Sequence, residues 1–190
     1  MNNASLEQDK VIFHEMMSHP AIFSHPNPQK IAVMGDAEGH ILKEVLKHPT
    51  IKDASPLTAD KIEKITSESF DIFISATETN AVLFAHYFSI LRQNGILIQQ
   101  CGSLFHLEEL KNTAIHLQKA GFCDLQIISF PQPHSPSGSR SALIAVKKGT
   151  FNRVREKDVF NKTFKTHYYN FDVHKAALAL PEFIRQEWVI

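Results

Sequence analysis

The stretch KIAVMGDAEGHILKEVLKHP, residues 30–49, runs from an apolar strand through a polar turn with two glycines into a helix. In a doubly wound sheet, the turn after the first strand brings backbone N–H groups and a helix N-terminus to the crevice where nucleotides bind. Gly35 and Gly39 suit that role, but they equally suit a sharp turn and close helix–strand packing without a ligand. Asp36 and Glu38 put negative charge in the turn, which favours a cationic or phosphate-free nucleoside over a pyrophosphate.

The composition of the whole chain limits the classes of partner. Its 190 residues, 43% of them hydrophobic and 21% charged, suit one globular domain that buries a substantial core. Twenty Lys and Arg residues balance twenty Asp and Glu residues, so no excess of positive charge favours nucleic acid or an anionic membrane surface. No apolar run approaches the roughly 18 residues that a membrane helix needs. We therefore expect neither nucleic acid nor a membrane as a partner.

The cysteines and histidines indicate which cellular compartment suits the protein and whether a metal site is expected. Cys101 and Cys123 are too few for a disulfide framework or a four-thiolate site, and the start of the chain does not read as a signal peptide. A reducing cytoplasm fits this composition best. The eleven histidines are scattered without the spacing of a metal-binding helix or knuckle, so we expect no metal site.

Strand-like and helix-like segments alternate from residue 30 onward, which predicts an α/β fold with a mostly parallel sheet. A last helix over residues 173–184 is expected to bend or break at Pro181. The longest irregular segment is residues 131–141. Predicted strands cover residues 31–34, 70–75, 95–99, 125–129 and 142–147, and predicted helices cover residues 41–46, 59–65, 81–91 and 107–119.

About twenty residues after the glycine turn, Asp60 lies at the distance expected for a carboxylate that binds a ribose hydroxyl. It is equally suited to be an acidic residue in the first turn of a helix whose N-cap is Thr58. Pro56 makes the segment before it a poor central strand.

Three stretches together resemble the polyamine aminopropyltransferases, the family of the spermidine synthases. They are residues 11–49, which contain the glycine turn, HSPSG at residues 134–138, and YYNFDVHKAALALPEFI at residues 168–184. The resemblance implies a Rossmann-like, methyltransferase-type fold, compressed in the middle because residues 65–80 leave no room for the third strand and adenine-binding Gly-Asp pair of the family.

The same resemblance implies a domain organisation. We expect one domain over residues 1–190, with an N-terminal lead and helix (1–29), a sheet core (30–150) and a C-terminal extension (151–190). The small β-domain that precedes the family's catalytic domain is expected to be absent. A homodimer is expected.

The implied activity is transfer of an aminopropyl group from decarboxylated S-adenosylmethionine, as co-substrate, to putrescine. No permanently bound cofactor is expected, and the partners are a small polyamine and an adenosyl nucleoside. Both substrates are cationic, so the pocket should be acidic and partly desolvated. The acceptor must also lose a proton, for which a carboxylate is the expected general base.

The resemblance assigns roles to particular residues. His14 is expected to contact a substrate amine, unless it is a helix-surface histidine. Gln100 matches a substrate-contacting glutamine. Gly35, Glu38 and Gly39 correspond to the donor-binding turn, and Asp60 is the remaining acid near the ribose-binding position.

The position of the family's general base is Ala76, which cannot accept a proton, and the second acid of that motif is Thr79. Glu78 lies between them and is either the replacement base or an exposed loop acid. Two hypotheses follow: an active aminopropyltransferase, or a non-catalytic spermidine-synthase-like protein that binds polyamine or nucleoside or pairs with an active relative. Methyl transfer is a weaker third, because a methyl donor keeps its carboxylate and the glycine turn is acidic.

Overall fold

The computed structural model describes residues 3–78, 80–151 and 154–188, which form a six-stranded sheet in the order β2-β1-β3-β4-β6-β5. The first four strands are parallel, whereas β6 is antiparallel to both β4 and β5. The predicted α/β class with a mostly parallel sheet is confirmed. The strands are β1 (Lys30–Met34), β2 (Asp53–Leu57), β3 (Phe70–Ser75), β4 (Leu91–Cys101), β5 (Cys123–Pro131) and β6 (Ser139–Val146).

The helices follow the predicted alternation, with differences at their ends. Residues 107–119 form the predicted helix, while the helix predicted over residues 81–91 divides into a 3₁₀ turn, Ala81–Leu83, and α4. The last predicted helix breaks at Pro181, which is the N-cap of α8. The helices are α1 (Asn3–Ser24), α2 (His40–Leu46), α3 (Ala59–Ile62), α4 (Phe84–Ile90), α5 (Leu107–Lys119), α6 (Glu156–Phe160), α7 (Phe171–Leu178) and α8 (Glu182–Glu187).

The sheet is covered on both faces. Every residue of β3 is buried, and its alternate side chains enter two separate apolar clusters. Phe73 packs with side chains of α4 and α5 on one face, and Ile72 packs with side chains of α1 and α7 on the other. This double burial explains why the strand reads as a continuous apolar run.

The edge strand β2 was not among the predicted strands. Pro56 lies within it, where it pairs with Val33 of β1. Since β2 has only this one neighbour among the described residues, its other side needs no ladder hydrogen bonds, and proline is tolerated there. Only the four-residue α3 lies between β2 and β3, which agrees with the expected compression of the middle.

No helix in residues 3–78, 80–151 and 154–188 has the length and apolar character needed to cross a membrane.

Candidate active site

The turn after β1 has a backbone that requires glycine. Gly35 has φ +85°, and a Cβ at this position would lie 2.7 Å from the backbone of Ala76 at the end of β3. Gly39 is the N-cap of α2 with φ +71°, but it has open space around it. Gly35 therefore permits close approach of two strand ends, whereas Gly39 serves only the left-handed conformation.

Asp36 caps α2 from within the same turn. One carboxylate oxygen accepts a hydrogen bond from the His40 N–H (2.9 Å) and the other from the Leu42 N–H (2.8 Å). The protein's own carboxylate therefore occupies donors that an anionic ligand would need. This supports the expectation that the turn does not hold a pyrophosphate.

Glu38 and His14 approach the turn from different sides. Glu38 has a side chain that is 70% exposed, and its carboxylate lies 3.1 Å from His40 Nδ1. The His40 ring lies 5.0 Å from that of His14 on α1. Burial, and next the nearby His40, lower the pKa of His14. The neutral imidazole is thus favoured, and it can accept a hydrogen bond from an amine.

The end of β3 carries no carboxylate at the position of the family's base. Ala76 is half-buried. The Thr77 hydroxyl lies 3.1 Å from the Ser75 hydroxyl, and the Thr77 carbonyl accepts a hydrogen bond from the side-chain amide of Gln99 (2.9 Å). Glu78 is exposed. Thr79 lies outside the described residues. Among the described residues, Glu78 is therefore the acidic residue that follows β3.

Gln100 joins the end of β3 to the start of β6. With its amide oriented as the neighbours require, its nitrogen donates to the Ala76 carbonyl (3.1 Å) and its oxygen accepts from Arg140 Nη1 (2.7 Å). The Arg140 guanidinium also lies over the Phe13 ring of α1, 5.6 Å from its centroid. The sequence analysis did not identify Arg140. The signal available was one cation near the start of a strand that is apolar from Ala142 onward, two residues after the end of the HSPSG motif.

Two clefts meet at this arginine. The first, the α1 cleft, has a volume of about 770 Å³ and lies between α1 and the segment joining β5 to β6. The second, the α5 cleft, has a volume of about 700 Å³. The α1 cleft is lined by residues that include Asp9, Phe13, His14, Gln100, His134 and Arg140. The α5 cleft is lined by residues that include Glu78, Gln100, Ser103, His106, Glu109 and Arg140.

The clefts bring together some of the predicted site residues. His14 and Gln100 line the α1 cleft, and Glu78 and Gln100 line the α5 cleft. The residues of the glycine turn and Asp60 line neither of them. Asp60 is exposed in the first turn of α3, where hydrogen bonding to Thr58 lowers its pKa. Its ribose-binding role stays a prediction.

Beneath the site, Glu15 connects α1 to the C-terminal segment. This fully buried carboxylate accepts hydrogen bonds from the backbone N–H groups of His167 (2.7 Å), Tyr168 (2.9 Å) and Tyr169 (2.8 Å). The buried Tyr169 hydroxyl in turn lies 2.8 Å from His174 Nδ1. Within the YYN motif, Glu15 thus holds the backbone of both tyrosines, and Tyr169 is buried, whereas Tyr168 is half-buried and Asn170 is exposed.

One group of side chains in the described residues has a geometry that could hold a metal ion. It consists of Glu15, His19 and Glu44, whose ligand atoms lie within 4.8 Å of one another. However, Glu15 is occupied by backbone donors, His19 Nδ1 lies 2.9 Å from His48 Nε2, and Glu44 pairs with Lys47 at 2.6 Å. The existing contacts make this a structural polar network, and the absence of a metal stays a prediction.

Comparisons with known proteins agree with this architecture. The family profile described as "Spermine/spermidine synthase domain" matches residues 10–62. The chain is 31% identical to a polyamine aminopropyltransferase of Nitrosococcus oceani, over 94% of this chain and 77% of the relative, and 32% identical to one of Halorhodospira halophila, over 94% and 80%.

Two solved structures share the fold. A spermidine synthase from Thermotoga maritima superposes with a TM-score of 0.84 at 23% identity, covering 95% of this chain and 75% of that one. A spermidine synthase in complex with the transition-state analogue AdoDATO gives a TM-score of 0.84 at 22% identity, covering 95% and 76%.

Proposed function

This chain belongs to the polyamine aminopropyltransferase family, and on that premise we propose that it transfers the aminopropyl group of decarboxylated S-adenosylmethionine to a primary amine. Putrescine is the first acceptor to test. The observation that carries the proposal is the convergence of His14 and Gln100 in the α1 cleft, beside the turn that holds Gly35 against Ala76.

The reaction requires a free amine next to a sulfonium. The nitrogen lone pair attacks the propyl carbon bonded to sulfur, a C–N bond forms, and the C–S bond breaks with its electrons staying on sulfur. Methylthioadenosine leaves, and the proton of the attacking nitrogen passes to a base. A neutral His14 suits the orienting role, since its imidazole can accept a hydrogen bond from the amine.

Glu78 is our proposed replacement for the missing base. It lines the α5 cleft together with Gln100, whose amide reaches the carbonyl of Ala76. Glu78 lies two residues after Ala76, the position of the family's general base, and at the same edge of the sheet. Its exposure argues for slow turnover, because water competes for the carboxylate.

Ala76 favours a second candidate function, which is binding of a polyamine or nucleoside without transfer, alone or paired with an active relative. Its side chain cannot accept the proton of the attacking amine, so a site that binds both substrates would lack a base at this position.

We extend the proposal to a homodimer in the cytoplasm. Exposed apolar side chains such as Val82 (79% exposed), Phe105 (61%) and Phe183 (53%) support an interface. Light scattering of the purified protein tests the oligomeric state.

The deciding experiment is calorimetric titration with decarboxylated S-adenosylmethionine and, separately, with putrescine, followed by incubation with both and mass spectrometry for spermidine and methylthioadenosine. Binding with both products would establish transfer. Binding without product would favour the second candidate, and no binding of either substrate would overturn both. Glu78→Gln should abolish turnover with donor affinity unchanged, whereas the matched control Glu108→Gln, on the exposed side of α5, should retain it.

A further inference from the structure

Arg140 is a cation without an acidic partner among the described residues. Its side chain is half-buried at the start of β6, and its hydrogen bond at Nη1 goes to the neutral oxygen of Gln100. The guanidinium also lies over the Phe13 ring, 5.6 Å from its centroid. A planar donor group, partly desolvated and not neutralised, is well suited to bind a carboxylate.

The position of this charge bears on the chemistry of the site. Gln100 links Arg140 to the carbonyl of Ala76 through two consecutive hydrogen bonds. Ala76 stands where the family resemblance places an acidic base. The region that would hold one end of a diamine therefore has no carboxylate at residue 76 and has the positive charge of Arg140 nearby, so a dication placed there would be repelled.

The opposite wall of the α1 cleft is acidic. Asp9 is 7% exposed and lies one helical turn before Phe13, so the two side chains share a face of α1. One Asp9 oxygen lies 2.9 Å from the His134 N–H and 3.2 Å from His134 Nδ1, whereas Oδ1 has no hydrogen-bond partner among the described residues. The remaining acid and lysine of this wall, Glu7 and Lys10, pair with each other at 3.1 Å.

From this arrangement, we infer that the α1 cleft binds a small ligand carrying both an ammonium group and a carboxylate, with the carboxylate on Arg140 and the ammonium on the side of Asp9. An ω-amino carboxylate is the simplest such molecule. The methionyl end of S-adenosylmethionine carries the same pair of charges, so the two sources must be separated by experiment.

The consequence for catalysis rests on the proposed function: as an acceptor, an ω-amino carboxylate would replace the diamine. The binding itself does not rest on it, because it is measured without a donor and without turnover. Failure of aminopropyl transfer would therefore leave this inference untouched, and its own failure would leave transfer to putrescine open.

The matched probes are 4-aminobutyrate and putrescine, which are close in length and differ in one terminal group. Calorimetry with the full chain should show 4-aminobutyrate binding at least 10-fold more tightly than putrescine. Butyrate and butylamine, which carry one charge each, should both bind more weakly than 4-aminobutyrate. Equal or tighter binding of putrescine in the unmodified protein would overturn the inference without any variant.

Variants assign the effect to Arg140. Arg140→Gln should weaken 4-aminobutyrate binding roughly 10- to 100-fold without weakening putrescine binding, and Arg140→Lys should retain part of the affinity. The matched control Arg185→Gln removes an exposed arginine from α8 and should change nothing. Unchanged 4-aminobutyrate affinity in Arg140→Gln, with a native circular dichroism spectrum, would overturn the inference.

A parallel titration separates the two sources of the ligand chemistry. If S-adenosylmethionine binds more tightly than its decarboxylated form and Arg140→Gln removes the preference, the methionyl end is the occupant. If only 4-aminobutyrate depends on Arg140, the occupant is a free ω-amino carboxylate. If neither ligand depends on Arg140, the cleft does not recognise this pair of charges.

Discussion

The interior under α1 and the rim at the carboxyl ends of the strands use charged side chains in opposite ways. Under α1, Glu15 is fully buried and accepts three backbone hydrogen bonds. At the rim, Glu78 is exposed and Arg140 has no acidic partner within the described part of the chain. The interior charge is fully engaged within the fold, whereas the rim charges remain available to a ligand. Substitutions in the first region should therefore act on stability and those in the second on binding.

The largest effect is expected at Glu15. Replacing it with Gln leaves an NH₂ group facing backbone donors that lose their charged acceptor, so the free energy of unfolding should fall by about 3 to 5 kcal/mol. Urea denaturation followed by circular dichroism measures this change. The control Glu187→Gln alters an exposed carboxylate on α8 and should stay within about 0.5 kcal/mol of the unmodified protein. Equal stabilities of the two variants would contradict the anchoring role of Glu15.

Gly35 and Gly39 lie in the turn between the interior and the rim, and alanine substitutions at the two positions can be compared directly. Gly35→Ala combines strain at positive φ with a Cβ placed against the Ala76 backbone, so it should lower the free energy of unfolding by about 2 to 4 kcal/mol. Gly39→Ala has the strain alone and should lower it by about 1 kcal/mol. The same denaturation experiment compares them. If Gly39→Ala were as damaging as Gly35→Ala, the close approach of β1 and β3 would not explain Gly35.

The interior should also respond to pH through His174. Burial lowers the pKa of this histidine from 6.5 to about 4. The unfolded chain takes up the proton below about pH 6.5 and the folded chain does not. The contribution of His174 to the free energy of unfolding is therefore fully present above that pH. It falls by about 1.4 kcal/mol per pH unit as the pH drops towards 4.

Unfolding free energies at about pH 7, 6 and 5 test this sign. His174→Gln should remove about 1.4 kcal/mol per unit from the slope below pH 6.5. The remaining slope includes His48, whose pKa burial lowers to about 2, and His14, His19 and His25, whose pKa values burial also lowers. A slope that is the same with and without His174 would rule out its titration as a cause.

The smallest effect is expected at Glu38 on the rim. Because its side chain is 70% exposed, an interaction with the ammonium of decarboxylated S-adenosylmethionine is screened by water. Glu38→Gln should weaken donor binding by about 0.5 to 1 kcal/mol, and the weakening should shrink as salt is raised. Calorimetry at two salt concentrations tests this, with the exposed Glu63→Gln as the control. Unchanged affinity at low salt would remove Glu38 from the donor site.

The elements that the sequence predicts best are those whose signals are local or whose burial is complete. The strand over residues 70–75 is buried at every position, and the helix over residues 107–119 has an amphipathic pattern followed by Gly121. The helix predicted to reach residue 91 ends at Ile90, because Leu91 pairs with Phe70 and begins β4. A pairing between distant segments there overrides the local helical preference.

The residues of the site also divide into those with a local sequence signal and those that only long-range contacts bring together. Gly35 and its acidic neighbours are visible in one short stretch, and the family resemblance supplies His14 and Gln100. The partnership of Gln100 with Arg140 spans 40 positions, and that of Asp9 with His134 spans 125. Such contacts depend on the order of the strands and on where α1 crosses the sheet, which composition and periodicity do not determine.

The hydrogen bonds of Glu15 also affect the order in which the protein can be completed during synthesis. The Glu15 carboxylate accepts hydrogen bonds from backbone N–H groups that lie at least 152 residues later in the chain. At about 5 to 20 residues per second, a ribosome needs roughly 8 to 30 s to synthesise the residues between Glu15 and these N–H groups. During that interval α1 cannot dock in its final place without leaving a carboxylate unsatisfied. Docking of α1 thus waits for a segment about 150 residues later in the chain, which favours folding of these residues as one unit over stepwise folding along the chain.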